Sequence, residues 1–231
     1  MARHHRLIIL GAGTAGLSAF KQAADFTDDI VMIDPGPLGT TCARVGCMPS
    51  KALLQIARET HAARRLHDDG LLPGRRGQVD RAKVMSRVRE LRDGFTAGPI
   101  RAVERMGENY IAGAARFAGP DRVEVDGETL SADAIIVAAG TSPLVPDDWP
   151  DLGDKLITSD DIFELENLPE RVGVIGAGAV GCEIGQALAM LGIEVHVLGR
   201  GDQVAGIVDP DISAAAREAL GRHFHLHTGE T

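Results

Sequence analysis

Leu7-Ile8-Ile9-Leu10-Gly11-Ala12-Gly13-Thr14-Ala15-Gly16 is a short apolar run followed at once by a glycine-rich turn. A continuous apolar run of this length is typical of a strand that is buried on both faces, as in a parallel sheet. The residues after Gly16 favour a helix, and a second apolar run ends at Asp34, 23 positions after Gly11. This order of strand, glycine turn, helix and strand predicts a βαβ unit that binds a dinucleotide.

Each glycine of the turn has its own physical reason. Gly11 allows the tight turn, Gly13 lets the backbone approach a pyrophosphate, and Gly16 lets the helix pack closely on the strand. The pyrophosphate is expected at the helix N-terminus, where peptide N–H groups point outward. Asp34 is placed to accept hydrogen bonds from a ribose hydroxyl. The alternative is a chance glycine turn, which the strand, the helix and the terminal acid together disfavour.

The second half of the chain repeats this pattern. Arg171–Ile175 predicts a strand, Gly176-Ala177-Gly178-Ala179-Val180-Gly181 a second turn, and the residues from Cys182 a helix. Gly176 lies 165 positions after Gly11, and Gly181 lies 165 positions after Gly16. A repeat at constant spacing makes a chance occurrence of the glycine pattern much less probable. Two dinucleotides are therefore expected, and the expected pair is a flavin and a nicotinamide nucleotide.

The second copy departs from the first where an acid is expected. The position that corresponds to Asp34 is Gly199, and Arg200 follows it. An arginine there suits a 2′-phosphate, which favours NADPH, whereas the third glycine at Gly181 is typical of NAD sites. The choice between NAD and NADP stays open, and Arg200 is alternatively an exposed turn residue.

Cys42 and Cys47 stand with four residues between them, and a helical stretch begins near Pro49-Ser50-Lys51. Peptide dipoles at a helix start favour a thiolate over a thiol. A disulfide that closes so short a loop removes little entropy from the unfolded chain and adds little stability. A redox-active disulfide with a catalytic function is therefore predicted rather than a structural one.

The pattern as a whole predicts an α/β protein: a Rossmann-like domain of ββα type with an antiparallel β-meander, followed by a partial second Rossmann-like domain. The meander is expected over 110–130, with Asp126-Gly127 as a hairpin turn. Ala134–Gly140 predicts a further buried parallel strand. A proline-rich stretch over 141–150 predicts a boundary between a flavin domain at 1–145 and a nicotinamide nucleotide domain at 146–231.

Composition excludes several classes of function. The net charge of −9 and the aromatic content of 3% disfavour nucleic acid as a partner. Three cysteines are too few for a secreted disulfide scaffold, so a cytoplasmic protein is expected. A run of about 18 apolar residues, which a membrane helix needs, is absent from the sequence, so a membrane partner is not expected.

Cys182 and a set of alternating histidines are further candidate sites. Cys182, near the start of the second helix, is interpreted as a small buried residue that packs on the strand rather than a reactive thiol. His223, His225 and His227 alternate along a predicted strand and would share one face. A strand with one wet face is the preferred interpretation; a zinc-binding module is the remote alternative, because neither cysteine nor a carboxylate cluster accompanies them, and no metal is expected.

The two glycine turns flank the stretch Gly39-Thr40-Thr41-Cys42-Ala43-Arg44-Val45-Gly46-Cys47-Met48-Pro49-Ser50-Lys51. This combination of turns and cysteine pair resembles the sequence pattern of the flavoprotein disulfide reductases. This family includes dihydrolipoamide dehydrogenase, glutathione reductase and mercuric reductase, and the resemblance is strongest to the first. It covers the whole chain and implies FAD and NAD or NADP as cofactors. Thr40 departs from the family pattern, which has glycine there.

The resemblance also implies roles for single residues. Cys42 is the sulfur exposed to substrate, Cys47 lies against the flavin, and Lys51 pairs with Glu183 beside the flavin ring. The residues that the resemblance assigns to FAD are Gly11, Gly13, Ala15, Gly16, Asp34, Thr41, Ala115, Ala139 and Gly140. Those assigned to the nicotinamide nucleotide are Gly176, Gly178, Gly181 and Arg200.

The implied reaction is transfer of an electron pair from a small, lipoamide-like dithiol through the cysteine pair and FAD to NAD(P). Family subunits are about twice as long and form homodimers, whereas this chain stops within the second nucleotide domain. The dimerisation domain and its His-Glu acid–base pair are therefore expected to be missing, and a truncated chain that binds FAD weakly and turns over poorly is predicted. The alternatives are an NADPH-dependent enzyme acting on glutathione-like disulfides or mercuric ion, and a non-catalytic nucleotide-binding or redox-sensing fragment.

Overall fold

The computed structural model describes residues 3–73, 78–147, 149 and 152–229. The chain divides into two compact units, one formed by Met1–Met48 and Arg92–Gly153 and the other by Pro49–Leu91 and Asp154–Thr231. The sequence placed the boundary at residues 145 and 146, whereas these contacts also group Pro49–Leu91 with the second unit. Which unit binds which nucleotide stays a prediction. Part of the expected linker, Asp148 and Pro150, lies outside the described residues.

The first unit contains a six-stranded sheet with the order β3-β2-β1-β6-β5-β4. Strands β1, β2, β3 and β6 run parallel to their neighbours in that half of the sheet, and β4 and β5 pair antiparallel beside β6. The strands are β1 (Arg3–Leu10), β2 (Ile30–Asp34), β3 (Tyr110–Ala112), β4 (Arg116–Gly119), β5 (Arg122–Val125) and β6 (Glu128–Val137).

Strand β1 is buried on both faces, as its continuous apolar run predicted. Ile8 belongs to a core cluster with Val31 and Ile33, while Ile9 belongs to the opposite cluster with Met32. Successive side chains of a strand point to opposite faces, so these two clusters are the two sides of one sheet. The expected βαβ unit is therefore confirmed as a structure.

Two expectations for the meander were wrong. Tyr110-Ile111 was expected to be an antiparallel strand, but β3 pairs parallel with β2, with Met32 opposite Tyr110. The stretches at 128–130 and 134–137 were expected to be separate strands, but they form the single strand β6. This strand is long because it has two partners. Its residues 128–131 pair with β5, and its residues 130–137 pair with β1. The hairpin turn is confirmed, with positive φ at Asp126 and Gly127.

Four helices begin in the first unit or pass through it. They are α1 (Thr14–Ala23), α2 (Thr41–Arg44), α3 (Cys47–Asp68) and α4 (Arg81–Glu104). The sequence at Gly98-Pro99 predicts a break or kink, because proline lacks an N–H and its ring clashes with the preceding turn, but α4 continues through Pro99 to Glu104. A proline inside a helix costs about 3 kcal/mol. The residues beyond it offset that cost, because Val103 is buried in the core cluster that contains Ile9 and Met32.

The second unit contains a three-stranded parallel sheet, ordered β7-β8-β9, and two further helices. Helix α5 approaches the sheet closely at Gly185, where a Cβ atom would lie 3.0 Å from the Val197 side chain. The elements are β7 (Arg171–Ile175), α5 (Ala179–Met190), β8 (Glu194–Gly199), α6 (Pro210–Gly221) and β9 (His225–Thr228).

Three arginines attach residues 49–91 to the rest of the second unit. Arg64 donates to the main-chain oxygen of Met190, and Arg81 donates to the oxygens of Pro169 and Gly192, at 3.2 to 3.4 Å. Arg89 donates to the main-chain oxygen of Leu165. Hydrogen bonds from a charged donor contribute about 1.5–3 kcal/mol each when shielded from water, and less when exposed. Sequence patterns do not show such long-range contacts, so the grouping of these residues was missed.

Among the helices of the described residues, none combines the length and the apolar composition needed to span a membrane.

Candidate functional site

At two positions of the first glycine turn, the backbone leaves no room for a side chain. Gly11 has φ +108°, and a Cβ atom there would lie 2.3 Å from the main-chain oxygen of Ala138. A Cβ atom on Gly16 would lie 1.8 Å from the main-chain oxygen of Gly11. Both contacts are with backbone, which cannot move aside as a flexible side chain does. The turn and the close packing of α1 on β1 therefore depend on these glycines.

Gly13 differs from its two neighbours because the space above it is open. It is the N-cap residue of α1 and has no side chain to cap the helix, and a Cβ atom there would meet nothing within 4 Å. The first N–H groups of a helix have no partner within the helix and attract anions. Ala15, in the first turn of α1, is also exposed. An uncapped helix start with open space in front of it fits a pyrophosphate group.

Asp34 lies at the carboxyl end of β2 and is held by the turn. One carboxylate oxygen accepts a hydrogen bond from the Ala12 N–H at 2.7 Å, and the other accepts one from the Gly36 N–H at 2.6 Å. Each oxygen keeps a second lone pair, so the group can still accept from a ribose hydroxyl. The sequence predicted the ribose function and missed this structural one, which ties the two strand ends together.

The second glycine turn repeats the geometry of the first. Gly176 has φ +113°, and a Cβ atom on Gly181 would lie 2.0 Å from the Gly176 oxygen. Gly178 is the N-cap residue of α5, without a side-chain cap and with open space above it. The turns differ at two positions. A Cβ atom on Gly176 would meet nothing within 4 Å, unlike one on Gly11, and a Cβ atom on Gly199 would lie 2.7 Å from the Cβ atom of Ala177. The second turn therefore leaves no room for the acid found in the first, while Arg200 beside it is exposed.

The two cysteines lie at the starts of consecutive helices. Cys42 is in α2 and half-buried, and Cys47 is the first residue of the 22-residue helix α3 and exposed. A Cβ atom on Gly46 would lie 3.0 Å from the Thr41 oxygen and 3.2 Å from the Cys42 Cα atom. Gly46 thus lets the chain fold tightly back onto the first cysteine. The disulfide and the roles of the two sulfurs stay predictions.

Thr40, the departure from the family pattern, is strained. It has φ +64° and ψ +143°, a conformation that a β-branched residue rarely adopts. Its side-chain oxygen accepts a hydrogen bond from the Ala43 N–H at 3.2 Å and so caps α2. The cap offsets part of the strain and explains how threonine is tolerated where the family has glycine.

Thr40→Gly is expected to raise the free energy of unfolding by about 1 kcal/mol. The substitution relieves about 1–3 kcal/mol of backbone strain, and glycine replaces a capping side chain at a cost of only a few tenths. A change of this size raises the melting temperature by about 2–4 °C in a chain of this length. Thr41→Gly, at a helical position, is the control and is expected to be destabilising. A melting temperature that falls equally in both variants would show that Thr40 is not strained.

Lys51 and Glu183, 132 positions apart, are in contact within the second unit. The Lys51 ammonium lies 2.8 Å from one carboxylate oxygen of Glu183, with the lysine side chain 63% exposed and the glutamate side chain 23% exposed. The other carboxylate oxygen of Glu183 is buried and has no hydrogen-bond partner among the described residues. An ion pair this exposed contributes at most about 1 kcal/mol. The contact expected from the resemblance is present, whereas its function near a flavin stays a prediction.

Comparison with known proteins matches residues 5–230 to the family described as "Pyridine nucleotide-disulphide oxidoreductase". The chain belongs to this family. The dinucleotide turns and the cysteine pair lie within the matched residues, and members of the family use FAD and NAD(P)H as cofactors.

Individual relatives of two kinds are similar to the chain. A mercuric reductase of Staphylococcus aureus is 32% identical over 232 residues, which is 97% of this chain and 41% of the relative. A dihydrolipoyl dehydrogenase of Vibrio cholerae is 31% identical over 226 residues, which is 96% of this chain and 47% of the relative. The chain thus spans less than half the length of these curated relatives. The nearly equal identities do not separate the two kinds.

A solved structure confirms the fold. The HOCl-induced flavoprotein disulfide reductase RclA from Escherichia coli matches with a TM-score of 0.80, over 98% of this chain and 49% of that one. At 20% identity the likeness concerns the fold alone. The expected α/β architecture with Rossmann-like units is that of the disulfide oxidoreductase family.

The remaining residues assigned to FAD lie in the first unit. Ala139 and Gly140 follow β6, whose end is hydrogen-bonded to β1 through the Ala138 N–H and the Leu10 oxygen at 2.8 Å. Ala115 precedes β4 and packs against the core cluster of the sheet. Thr41 is the exposed first residue of α2. The sheet therefore brings Ala139 next to the Gly11 turn, while direct contacts of these residues with FAD stay predictions.

Cys182 is packed rather than reactive in this structure. It is buried, its thiol donates to the Ala177 oxygen at 3.3 Å, and burial raises the pKa of the thiol. A raised pKa disfavours the thiolate that nucleophilic chemistry requires.

The histidines lie differently from the expectation. His223 precedes β9, while His225 and His227 lie on it, so the three do not share a strand. His196 of β8 stacks with His225 and lies 3.0 Å, nitrogen to nitrogen, from His227. No group of three or more potential ligands is arranged for a metal within the described ranges.

Proposed function

We propose that this chain is the nucleotide-binding and redox-active portion of a dithiol/disulfide oxidoreductase of the dihydrolipoyl dehydrogenase type. The observation that carries the proposal is the combination of two open, uncapped helix starts with a cysteine pair beside Gly46. Either glycine turn alone supports only nucleotide binding. A cysteine pair that lies between the two glycine turns in the sequence supports electron transfer between a thiol substrate and two nucleotides.

The residues of the first turn fit FAD. The open space above Gly13 and the N–H groups at the start of α1 suit its pyrophosphate, and Asp34 suits the ribose. The corresponding residues of the second turn, Gly176, Gly178 and Gly181, suit the pyrophosphate of a nicotinamide nucleotide. FAD, when bound, supplies two-electron chemistry between the cysteine pair and NAD(P).

The chemistry at the cysteines is a pair of thiol–disulfide exchanges. A substrate thiolate attacks the Cys42 sulfur, the Cys42–Cys47 bond breaks, and Cys47 leaves as a thiolate. The second substrate thiolate then attacks the substrate sulfur bound to Cys42, which releases Cys42 as a thiolate. The dithiol is oxidised to a disulfide, the cysteine pair is reduced, and two protons leave the substrate. Cys47 is the exposed first residue of α3.

Lys51 and Glu183 keep the role that the resemblance implies. The ammonium of Lys51 supplies a positive charge that Glu183 holds in one orientation at 2.8 Å. A fixed cation favours a negatively charged reduced flavin. The substrate proposed is a small, lipoamide-like dithiol, and a homodimer is proposed as the assembly.

The test is a thiol titration of the protein reconstituted with FAD. We expect one equivalent of dithiol to produce a long-wavelength absorption band from a thiolate beside the oxidised flavin. Slow NADH formation from dihydrolipoamide and NAD⁺ is expected to follow. Bound FAD with no band would contradict the assignment of Cys47. A band without turnover would favour the redox-sensing alternative.

The second candidate is an NADPH-dependent reductase that acts on a glutathione-like disulfide or on mercuric ion. Gly199 and Arg200 favour this second candidate. Gly199 replaces the acid that binds a free 2′-hydroxyl in NAD sites, and the exposed cation Arg200 follows it directly. The similarity to mercuric reductases at 32% identity also supports it.

If Arg200 binds the 2′-phosphate, Arg200→Met is expected to weaken NADPH binding about 10- to 100-fold and to leave NADH binding unchanged. A hydrogen bond between charged partners contributes about 1.5–3 kcal/mol, which corresponds to this range. Arg171→Met is the control, because Arg171 is also exposed but begins β7 at the amino end, away from the turn. Calorimetric titration with both nucleotides checks the prediction. Equal affinities for NADH and NADPH in the unsubstituted chain would contradict it.

A further inference from the structure

The first unit has a cavity of about 680 Å³ on the side of α1 that faces the end of α4. Its apolar wall is formed by Leu17 and Phe20 of α1, Ile30 of β2 and Met106 after α4. Ile30 is a buried member of the core cluster around Ile9, and Leu17, Phe20 and Met106 are partly buried against that cluster, so the wall is part of the packed fold. Ligand cavities in proteins commonly have volumes of about 300–1,000 Å³.

The cavity is separate from the dinucleotide turn. Ile30, which lines it, is the first residue of β2, whereas Asp34 at the turn is the last. Four steps along a strand span about 13 Å at about 3.3 Å per residue. The cavity therefore lies towards the amino ends of the parallel strands, while nucleotides bind at their carboxyl ends.

Two cations border this apolar wall. Lys21 of α1 and Arg105 after α4 line the cavity, and neither has a hydrogen-bond or ion-pair partner for its side chain among the described residues. Asp28 is the single acid in the lining, so the rim keeps an excess of one positive charge. On a chain of net charge −9, this rim is locally positive.

We propose that this cavity binds a small anionic amphiphile, a molecule with an aromatic or aliphatic body and one carboxylate or sulfonate group. The body packs against Leu17, Phe20 and Met106, which removes apolar surface from water. The anionic group lies between Lys21 and Arg105, which supply hydrogen-bond donors for its oxygens. The site links α1 to the end of α4 and uses no residue assigned to the nucleotides or the cysteines.

The test uses two dyes that share one ring system. The first, 8-anilinonaphthalene-1-sulfonate, carries a sulfonate, and N-phenyl-1-naphthylamine does not. Fluorescence titration of the full chain is expected to show saturable binding of both, with at least tenfold higher affinity for the sulfonate. Lys21→Met/Arg105→Met is expected to lower the affinity for the sulfonate dye about tenfold and to leave the neutral dye unchanged. Arg101→Met, one turn earlier on α4 and outside the lining, is the matched control.

A second variant keeps the test independent of charge. Ala24→Trp places a large side chain in the cavity from an exposed position at the end of α1, and it is expected to abolish binding of both dyes. Unchanged binding in this variant, with an unchanged melting temperature, would overturn the cavity as the site. Equal affinities for the two dyes would overturn recognition of an anion. Co-sedimentation with phosphatidylglycerol vesicles that needs Lys21 and Arg105, without dye binding, would overturn the small-molecule site in favour of a lipid surface.

Discussion

Cys47→Ser is expected to abolish dithiol oxidation, with a loss on the order of 10⁴-fold in turnover, while the chain still folds and binds FAD. The proposed exchange requires a sulfur that leaves Cys42 as a thiolate, and a serine oxygen can neither form the disulfide nor leave in this way. Loss of a nucleophile that works as part of a unit typically costs this much. Because Cys47 is exposed at the start of α3, the serine is accommodated without repacking the core.

Cys42→Ser separates the two sulfurs. This variant is expected to be equally inactive with dithiols. It keeps the Cys47 thiol, which can no longer form a disulfide with residue 42. The long-wavelength band is therefore expected in Cys42→Ser without added dithiol and is expected to be absent from Cys47→Ser under any reduction. Cys182→Ala is the control and is expected to change neither activity nor spectrum, because Cys182 is buried with a raised pKa. A band that survives in Cys47→Ser would reverse the assignment of the two cysteines.

The sequence predicted those parts of the fold that depend on neighbouring residues. The positive φ of Gly11 and the close approach of Gly16 to the Gly11 oxygen are both local, so the residue pattern predicts the turn between them, whereas the approach of Ala138 to Gly11 is not local. The same holds for the hairpin turn at Asp126 and for the second copy at Gly176. These are positions where the backbone itself limits which residue fits.

Features that depend on distant partners were missed. Strand β3 pairs with β2 across 78 positions, between Met32 and Tyr110, and three residues carry too little pattern to predict that neighbour. Helix α4 continues past Pro99 because Val103 is buried, which the local propensity of proline does not show. The contact between Lys51 and Glu183 was expected from the family resemblance, since nothing in the local pattern joins residues 132 positions apart.

Gly16→Ala and Gly13→Ala, three residues apart, are expected to have opposite effects on folding and binding. At Gly16 the added methyl group would lie 1.8 Å from a backbone oxygen, so α1 must move away from β1. Overpacking of this kind costs about 1–3 kcal/mol or more, and a backbone contact places the cost at the upper end. The melting temperature is expected to fall by about 6 °C or more.

At Gly13 the added methyl group would meet nothing within 4 Å, and φ of −75° suits alanine. A weaker helix cap and a stiffer unfolded chain nearly cancel, so the free energy of unfolding is expected to change by less than about 1 kcal/mol. The methyl group nevertheless occupies the space proposed for the pyrophosphate. FAD affinity is therefore expected to fall at least tenfold in a chain that is as stable as the original.

The second copy supplies an internal control for this pair. Gly181→Ala would place a methyl group 2.0 Å from the Gly176 oxygen, and Gly178→Ala would place one in open space. Gly178→Ala is expected to weaken NAD(P) binding and leave FAD binding unchanged, whereas Gly13→Ala does the reverse. Thermal unfolding and fluorescence titration with each nucleotide measure all four variants. If Gly13→Ala bound FAD as tightly as the original chain, the open space above α1 would not be the pyrophosphate site, and the flavin assignment of the first turn would fail with it.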